Sequence, residues 1–224
     1  MLSALRWLAL EVKYLADTRE FYGTTLDLDL LAGGDDELVY AAGDQQLRLR
    51  RPSTVPRGGL HTHFALSTPD DRYGAWWDRL SEDFDLVEHR FGDSRSLYLY
   101  DPDGNCLEIG QAGGEGAELT RIFEVVLEVE DLEVAEAFYA DLGFDPVDRG
   151  DGRRRVRLAG PMALELWEPQ LGIADARGGV HVDLGFAGDA RAAVEAVGDR
   201  APDVVDREEG VRIRDPDGHW LTVR

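Results

Sequence analysis

The sequence predicts an α+β fold in which four βαβββ modules pair into two domains. Two observations carry this. Leu10-Glu11-Val12 is answered by Leu127-Glu128-Val129, Phe21-Tyr22 by Phe138-Tyr139 and Pro52 by Pro169, each 117 residues later in a chain of 224. Each half also reads twice as an alternating strand, a helix and three short strands punctuated by turn residues. So long a period points to duplicated domains, and hence a gene duplication, rather than to a solenoid of short repeats. The expected domains are 1–112 and 118–224.

Residues 5–12 alternate Leu8, Leu10 and Val12 against Trp7, Ala9 and Glu11, the pattern of a half-buried strand. Asp17 offers an N-cap to the helix TREFYGTTL, and strands are expected near 28–32, 37–42 and 45–50. After PSTVPRGG the order returns: strand 60–67, a helix from about Pro69 to Leu80, and strands near 84–89, 95–100 and 105–110. The last two are joined by DPDGN, whose proline and glycine reverse the chain.

The glycine-rich QAGGEGAE lacks periodicity and reads as the linker between halves. Strand 122–129 follows, then a helix capped by Asp131, then strands near 145–149, 153–159 and 162–168. The fourth module runs from strand 180–186 through the helix DARAAVEAVGD to strands near 203–206, 210–214 and 219–223, with DPDGH answering DPDGN. Aligned as HFAL against HVDL, the strands that open the second and fourth modules pair His63 with His181. His219, in a turn, is expected to be exposed.

Net charge is −21, from 45 acidic against 24 basic residues, and Lys13 is the one lysine. A field of one sign repels nucleic acid and anionic membranes, which excludes both as partners. Acidity with almost no lysine suggests a halophilic protein whose self-repulsion is screened by salt. The single cysteine, Cys106, forbids an internal disulfide and fits a reducing interior. The opening MLSALRWLAL has no basic leader and is too short to span a bilayer, so a cytoplasmic protein is expected.

Four such modules, FY in the first helix of each half, a strand-borne histidine opening each second module and the DPDG turns together resemble the vicinal oxygen chelate superfamily. That group holds glyoxalase I, extradiol dioxygenases, an epimerase and the fosfomycin and bleomycin resistance proteins. The resemblance implies curved mixed sheets around one divalent metal (Fe, Mn, Zn, Ni or Co), held by first and last strands of each module.

Carried onto this sequence, the positions are Glu124, Glu165, His181 and Thr222 in the C-terminal half. In the N-terminal half they are Trp7, Arg48, His63 and Glu108. The resemblance makes Glu124, Glu165 and His181 the metal ligands, with either glutamate as a base, and puts Trp167 and Thr222 in the substrate pocket. The N-terminal set reads as degenerate, because Trp7 has no lone pair for a metal and Arg48 is permanently charged.

The function this implies is a metal-dependent enzyme acting on a small molecule that chelates through adjacent oxygens, with ring cleavage of a catechol slightly preferred. A glyoxalase- or epimerase-type reaction, or ligand binding without catalysis, are the alternatives. A homodimer is compatible with it.

Overall fold

In this computed structural model the residues described are 1–52, 59–113, 119–152, 154–169 and 183–224. Strands β1 (Leu2–Glu11), β2 (Leu30–Gly33), β3 (Glu37–Ala42) and β4 (Gln45–Arg50) form the first module with helix α1 (Leu15–Glu20), which runs into a π-helical turn at Phe21–Thr25. The second has β5 (His61–Thr68), α2 (Tyr73–Leu80), β6 (Val87–Phe91), β7 (Ser94–Tyr100) and β8 (Cys106–Gln111). The third has β9 (Arg121–Glu128), α3 (Leu132–Asp141), β10 (Asp145–Arg149), β11 (Arg155–Ala159) and β12 (Ala163–Trp167). The fourth has β13 (Asp183–Gly188), α4 (Ala190–Val197), β14 (Asp203–Arg207), β15 (Gly210–Arg214) and β16 (Trp220–Val223).

The βαβββ order is therefore as the sequence implies. Asp131 caps α3, its carboxylate accepting from the amides of Glu133 and Val134, but the expected cap at Asp17 is corrected. Helix α1 begins ahead of that position, at Leu15, and Tyr14 precedes it with no side-chain cap.

Which modules share a sheet differs from the halves of the sequence. One eight-stranded sheet has the order β14-β15-β16-β13-β1-β4-β3-β2, and the other β10-β11-β12-β9-β5-β8-β7-β6. The seams are antiparallel, β1 on β13 and β5 on β9. Modules one and four thus build one sheet, modules two and three the other. Segments 1–112 and 118–224 each give one module to each sheet.

What ties the two modules of one half together is a buried hydrogen bond from the FY helix to the DPDG turn. Tyr22 Oη donates to Asp101 Oδ2 at 2.9 Å, and Tyr139 Oη to Asp215 Oδ2 at 2.8 Å. Each aspartate also closes its own turn, Asp101 on Asn105 and Asp215 on His219. His219 is fully buried, not exposed, with Nδ1 against Asp215 Oδ2 and Nε2 donating 2.7 Å to the carbonyl of Leu60.

Strand alternation sets the two faces. Leu8, Leu10, Leu47 and Leu49 join one hydrophobic cluster with Phe21, Tyr22 and Tyr40, and their counterparts Val125, Leu127, Leu164 and Leu166 join it with Phe138 and Tyr139. The opposite faces keep the polar side chains, and on those faces the candidate sites lie.

Candidate metal centre

The sheet of modules two and three brings His63, Glu108, Glu124 and Glu165 onto one face. His63 is on β5, Glu108 on the parallel β8, Glu124 on β9 across the seam, and Glu165 on β12 beside β9. Register fixes them: Ala65, two residues after His63, lies opposite both Glu108 and Glu124.

His63 Nε2 stands 3.2 Å from Glu108 Oε2 and 3.5 Å from Glu124 Oε1. All three residues are buried, and a donor atom from each falls within 4.8 Å of the others. Although the carboxylates are this close, Nε2 is aligned for a hydrogen bond with neither. A buried imidazole nitrogen aimed between two carboxylates, without a bonded partner of its own, fits a divalent cation.

Burial lowers the tendency of His63 to hold a proton, yet Glu108 and Glu124 overcome it and lift its pKa to about 9. Burial also pushes Glu108 up, but the nearby charge of His63, with hydrogen bonds from Ser96 and Tyr98, brings it below its ordinary value. In the absence of a cation the imidazolium takes that place in the charge balance.

The third carboxylate, Glu165, is held apart from this trio. Trp167 Nε1 donates to Glu165 Oε2 at 2.7 Å, Arg157 Nη1 lies 2.9 Å from Oε1 and Arg155 Nη1 3.5 Å. Arg157 also pairs with Glu124, so it bridges two of the acidic residues. Tyr98 Oη donates to Glu108 Oε2 at 2.7 Å and fixes that carboxylate.

The cluster opens into a cleft of about 1300 Å³, walled by Tyr98, Phe123, Trp167, His89 and Phe91 among others. Cys106 is also there, but burial pushes its thiol up to about 12, which removes a thiolate nucleophile near neutrality.

The sequence-derived sets are regrouped. Glu124, Glu165 and Trp167 share this cleft, and His63 and Glu108, assigned to a degenerate site, join them there. Thr222 is corrected to the other sheet, where its hydroxyl donates 3.0 Å to Asp183 Oδ1. Trp7 and Arg48 are also there, so neither shares a site with His63 and Glu108. His181 lies outside the described residues.

The residue equivalent to His63 in the other sheet is Asp183. It stands two before Gly185, which lies opposite Trp7 and Thr222 as Ala65 lies opposite Glu124 and Glu108. The signal was present: GGLHTHFAL and GGVHVDLGF, aligned without a gap, pair His61 with His181 and His63 with Asp183. His61 does not join His63, because a register shift between them in β5 breaks the alternation and leaves His61 buried.

Residues 4–109 match the model of the Glyoxalase/Bleomycin resistance protein/Dioxygenase superfamily. This chain carries a domain of that superfamily. Among curated relatives, a metallothiol transferase FosB of Staphylococcus epidermidis is 28% identical over 116 residues, covering 49% of this chain and 84% of the relative.

Among solved structures, glyoxalase I from Zea mays superposes with a TM-score of 0.70 at 20% identity, over 98% of this chain and 91% of that one. A Bacillus subtilis protein gives 0.76 at 16% identity, over 99% and 84%. At these identities the structures speak for the fold, which spans both sheets. Superfamily members use a divalent metal, which agrees with the donor set found on the sheet of modules two and three.

Proposed function

We propose that the chain is a metal-dependent enzyme whose divalent cation is held by His63, Glu108 and Glu124, and that it acts on a small molecule entering the cleft beside them. The observation that carries this is the buried trio with its unbonded Nε2 at the floor of the cleft. When bound, the cation supplies Lewis acidity to adjacent oxygens of the substrate.

The donor set bears on the reaction class. One imidazole with carboxylates is an oxygen-rich set, whereas ring-cleaving iron sites want two imidazoles and one carboxylate. This favours a proton-transfer or group-transfer reaction of the lyase, isomerase or thiol-transfer kind over the catechol cleavage preferred from sequence.

In such a reaction Tyr98 holds Glu108 in place and Trp167 anchors Oε2 of Glu165. Among the described residues Glu165 Oε1 meets only arginine, a contact that a substrate can replace, so Glu165 is the proton acceptor. Tyr98, Phe123 and the Trp167 ring wall the substrate and keep water from it.

The test is a panel on protein loaded in turn with Zn, Ni, Co, Mn and anaerobic Fe. The assays are isomerisation of a thiol–ketoaldehyde adduct, thiol transfer to an electrophile, and ring opening of a simple catechol after oxygen is admitted. Activity in either of the first two supports the reading. Catechol cleavage alone contradicts it, and tight ligand binding with no turnover under any metal assigns the cleft to a binding protein.

A further inference from the structure

In the sheet of modules one and four, the four positions that carry His63, Glu108, Glu124 and Glu165 in the other sheet are filled by Asp183, Thr222, Trp7 and Arg48. Three carboxylates are thereby reduced to one, and a guanidinium is added. Arg50, Arg212 and Arg224 gather round the same spot in a chain whose net charge is −21. Like charges that crowd together against the trend of the whole chain need a compensating anion.

The compensation within the sheet is incomplete. Asp183 is the shared carboxylate: Arg212 Nη2 lies 3.1 Å and Arg50 Nη2 3.6 Å from its Oδ2, and Thr222 takes its Oδ1. Both of its oxygens are therefore used. Arg48, half-buried, spends Nε and Nη2 on the neutral Oε1 of Gln46, at 3.0 and 2.7 Å. Among the described residues it has no carboxylate at ion-pair distance.

Trp7 orients the guanidiniums. Its ring takes the space a side chain at 185 would need, since a Cβ on Gly185 would lie 2.0 Å from it. The Cζ of Arg48 sits 4.5 Å from the ring centroid, and that of Arg224 4.7 Å. Two guanidiniums fixed on one indole, one of them without an acid, are preorganised for a planar or tetrahedral oxyanion. Burial lowers the Arg48 pKa; Glu37 and Asp183 pull it up in part, and Arg224 and Arg50 press it down again.

We propose that this face is a second ligand site, in which Arg48 and Arg224, held on Trp7, bind the carboxylate or phosphate group of a small molecule. It is independent of the metal centre and of the reaction assigned to it.

The test is calorimetric titration of the metal-free full chain at constant ionic strength, chloride being replaced by inorganic phosphate in one arm and benzoate in the other. One saturable site is expected in at least one arm. Binding of phosphate alone identifies a phosphate ligand, and binding of benzoate, alone or with phosphate, a carboxylate.

Arg48→Gln and Arg224→Gln should each weaken binding by about tenfold or more, the scale of a lost charge-assisted contact. Arg191→Gln, which removes an exposed arginine paired with Glu195 on α4, should leave it unchanged. If Arg48→Gln fails to fold by circular dichroism, the exposed Arg224 decides alone. Absence of saturable binding in both arms overturns the proposal. So does parent-like binding by folded Arg48→Gln and Arg224→Gln, or by Arg224→Gln alone where it decides.

Discussion

Asp183 holds in one sheet the place that His63 holds in the other. Each stands two residues before the strand position flanked by both neighbouring site strands, Gly185 and Ala65 respectively. Thr222, hydrogen-bonded to Asp183, is accordingly the counterpart of Glu108 and has no access to the His63 cluster. Thr222→Glu should leave metal affinity at the parent value. A rise in affinity, measured by competition with a metallochromic indicator, would mean that the two sheets had been assigned the wrong site residues.

Glu165 separates a proton-transfer role from a ligand role. Because it lies outside the three donors that cluster within 4.8 Å, Glu165→Gln should keep the metal but lose turnover by about 10²–10⁴-fold, the range for removing a general base. Loss of the metal from this variant, with bound metal counted by elemental analysis, would instead make Glu165 a fourth ligand.

The Tyr–Asp bonds that join modules within each half are buried and charge-assisted. Tyr22→Phe and Tyr139→Phe should each cost about 1.5–3 kcal/mol, since each leaves an aspartate short of a donor. Urea denaturation checks this. A cost below about 0.5 kcal/mol in both variants would show that the turns hold without the helices.

His61 is buried, neither ring nitrogen has a bonded partner among the described residues, and burial, with His63 and His219 nearby, drops its pKa to about 3. The unfolded chain protonates this group near 6.5 and the folded chain resists until about 3, so acid in that interval favours unfolding. His61→Leu removes the penalty. Its melting temperature should exceed the parent's, by a margin that widens as pH falls from about 7 to about 4. A constant margin would show that protonation of His61 plays no part.

His63 and His219 act in the opposite direction. Their pKa values are raised, so their contribution is present below about 6.5 and lost as pH climbs through the folded values, about 9 for His63.

The acidic, lysine-poor surface carries the halophile expectation forward as a prediction. Raising KCl from millimolar to molar should raise the melting temperature, because counterions screen a net charge of −21. A flat response would remove the compositional argument.

Much of this was legible in the sequence, for identifiable reasons. Alternation of apolar residues gave the strands their faces, so Glu124 and Glu165 could be placed opposite Val125 and Leu164, and Asp131 announced α3 through its cap. Asp17 misled because α1 starts without a side-chain cap, which its packing against β3 and β4 makes unnecessary.

The pairing of modules was not legible. A repeat shows that modules are alike, not whose edges meet, and the seams β1–β13 and β5–β9 join strands far apart in the sequence, as Ser67 paired with Arg121 and Leu8 with Leu184 show. The histidine register differs for a narrower reason: matching His63 to His181 departs from the ungapped alignment, which pairs His61 with His181. Trp7 against Gly185 was a further clue, since a large ring opposite a residue without a side chain marks strands that meet.

His63, Glu108 and Glu124 are the proposed holders of the metal. Bound metal per chain, determined by elemental analysis on parent, His63→Ala, Glu108→Gln and Thr222→Val after equal loading and desalting, tests this assignment most directly. About one equivalent is expected in the parent and in Thr222→Val, from the one donor cluster among the described residues, and loss from His63→Ala and Glu108→Gln. Metal retained by both His63→Ala and Glu108→Gln, or lost from Thr222→Val, would contradict it.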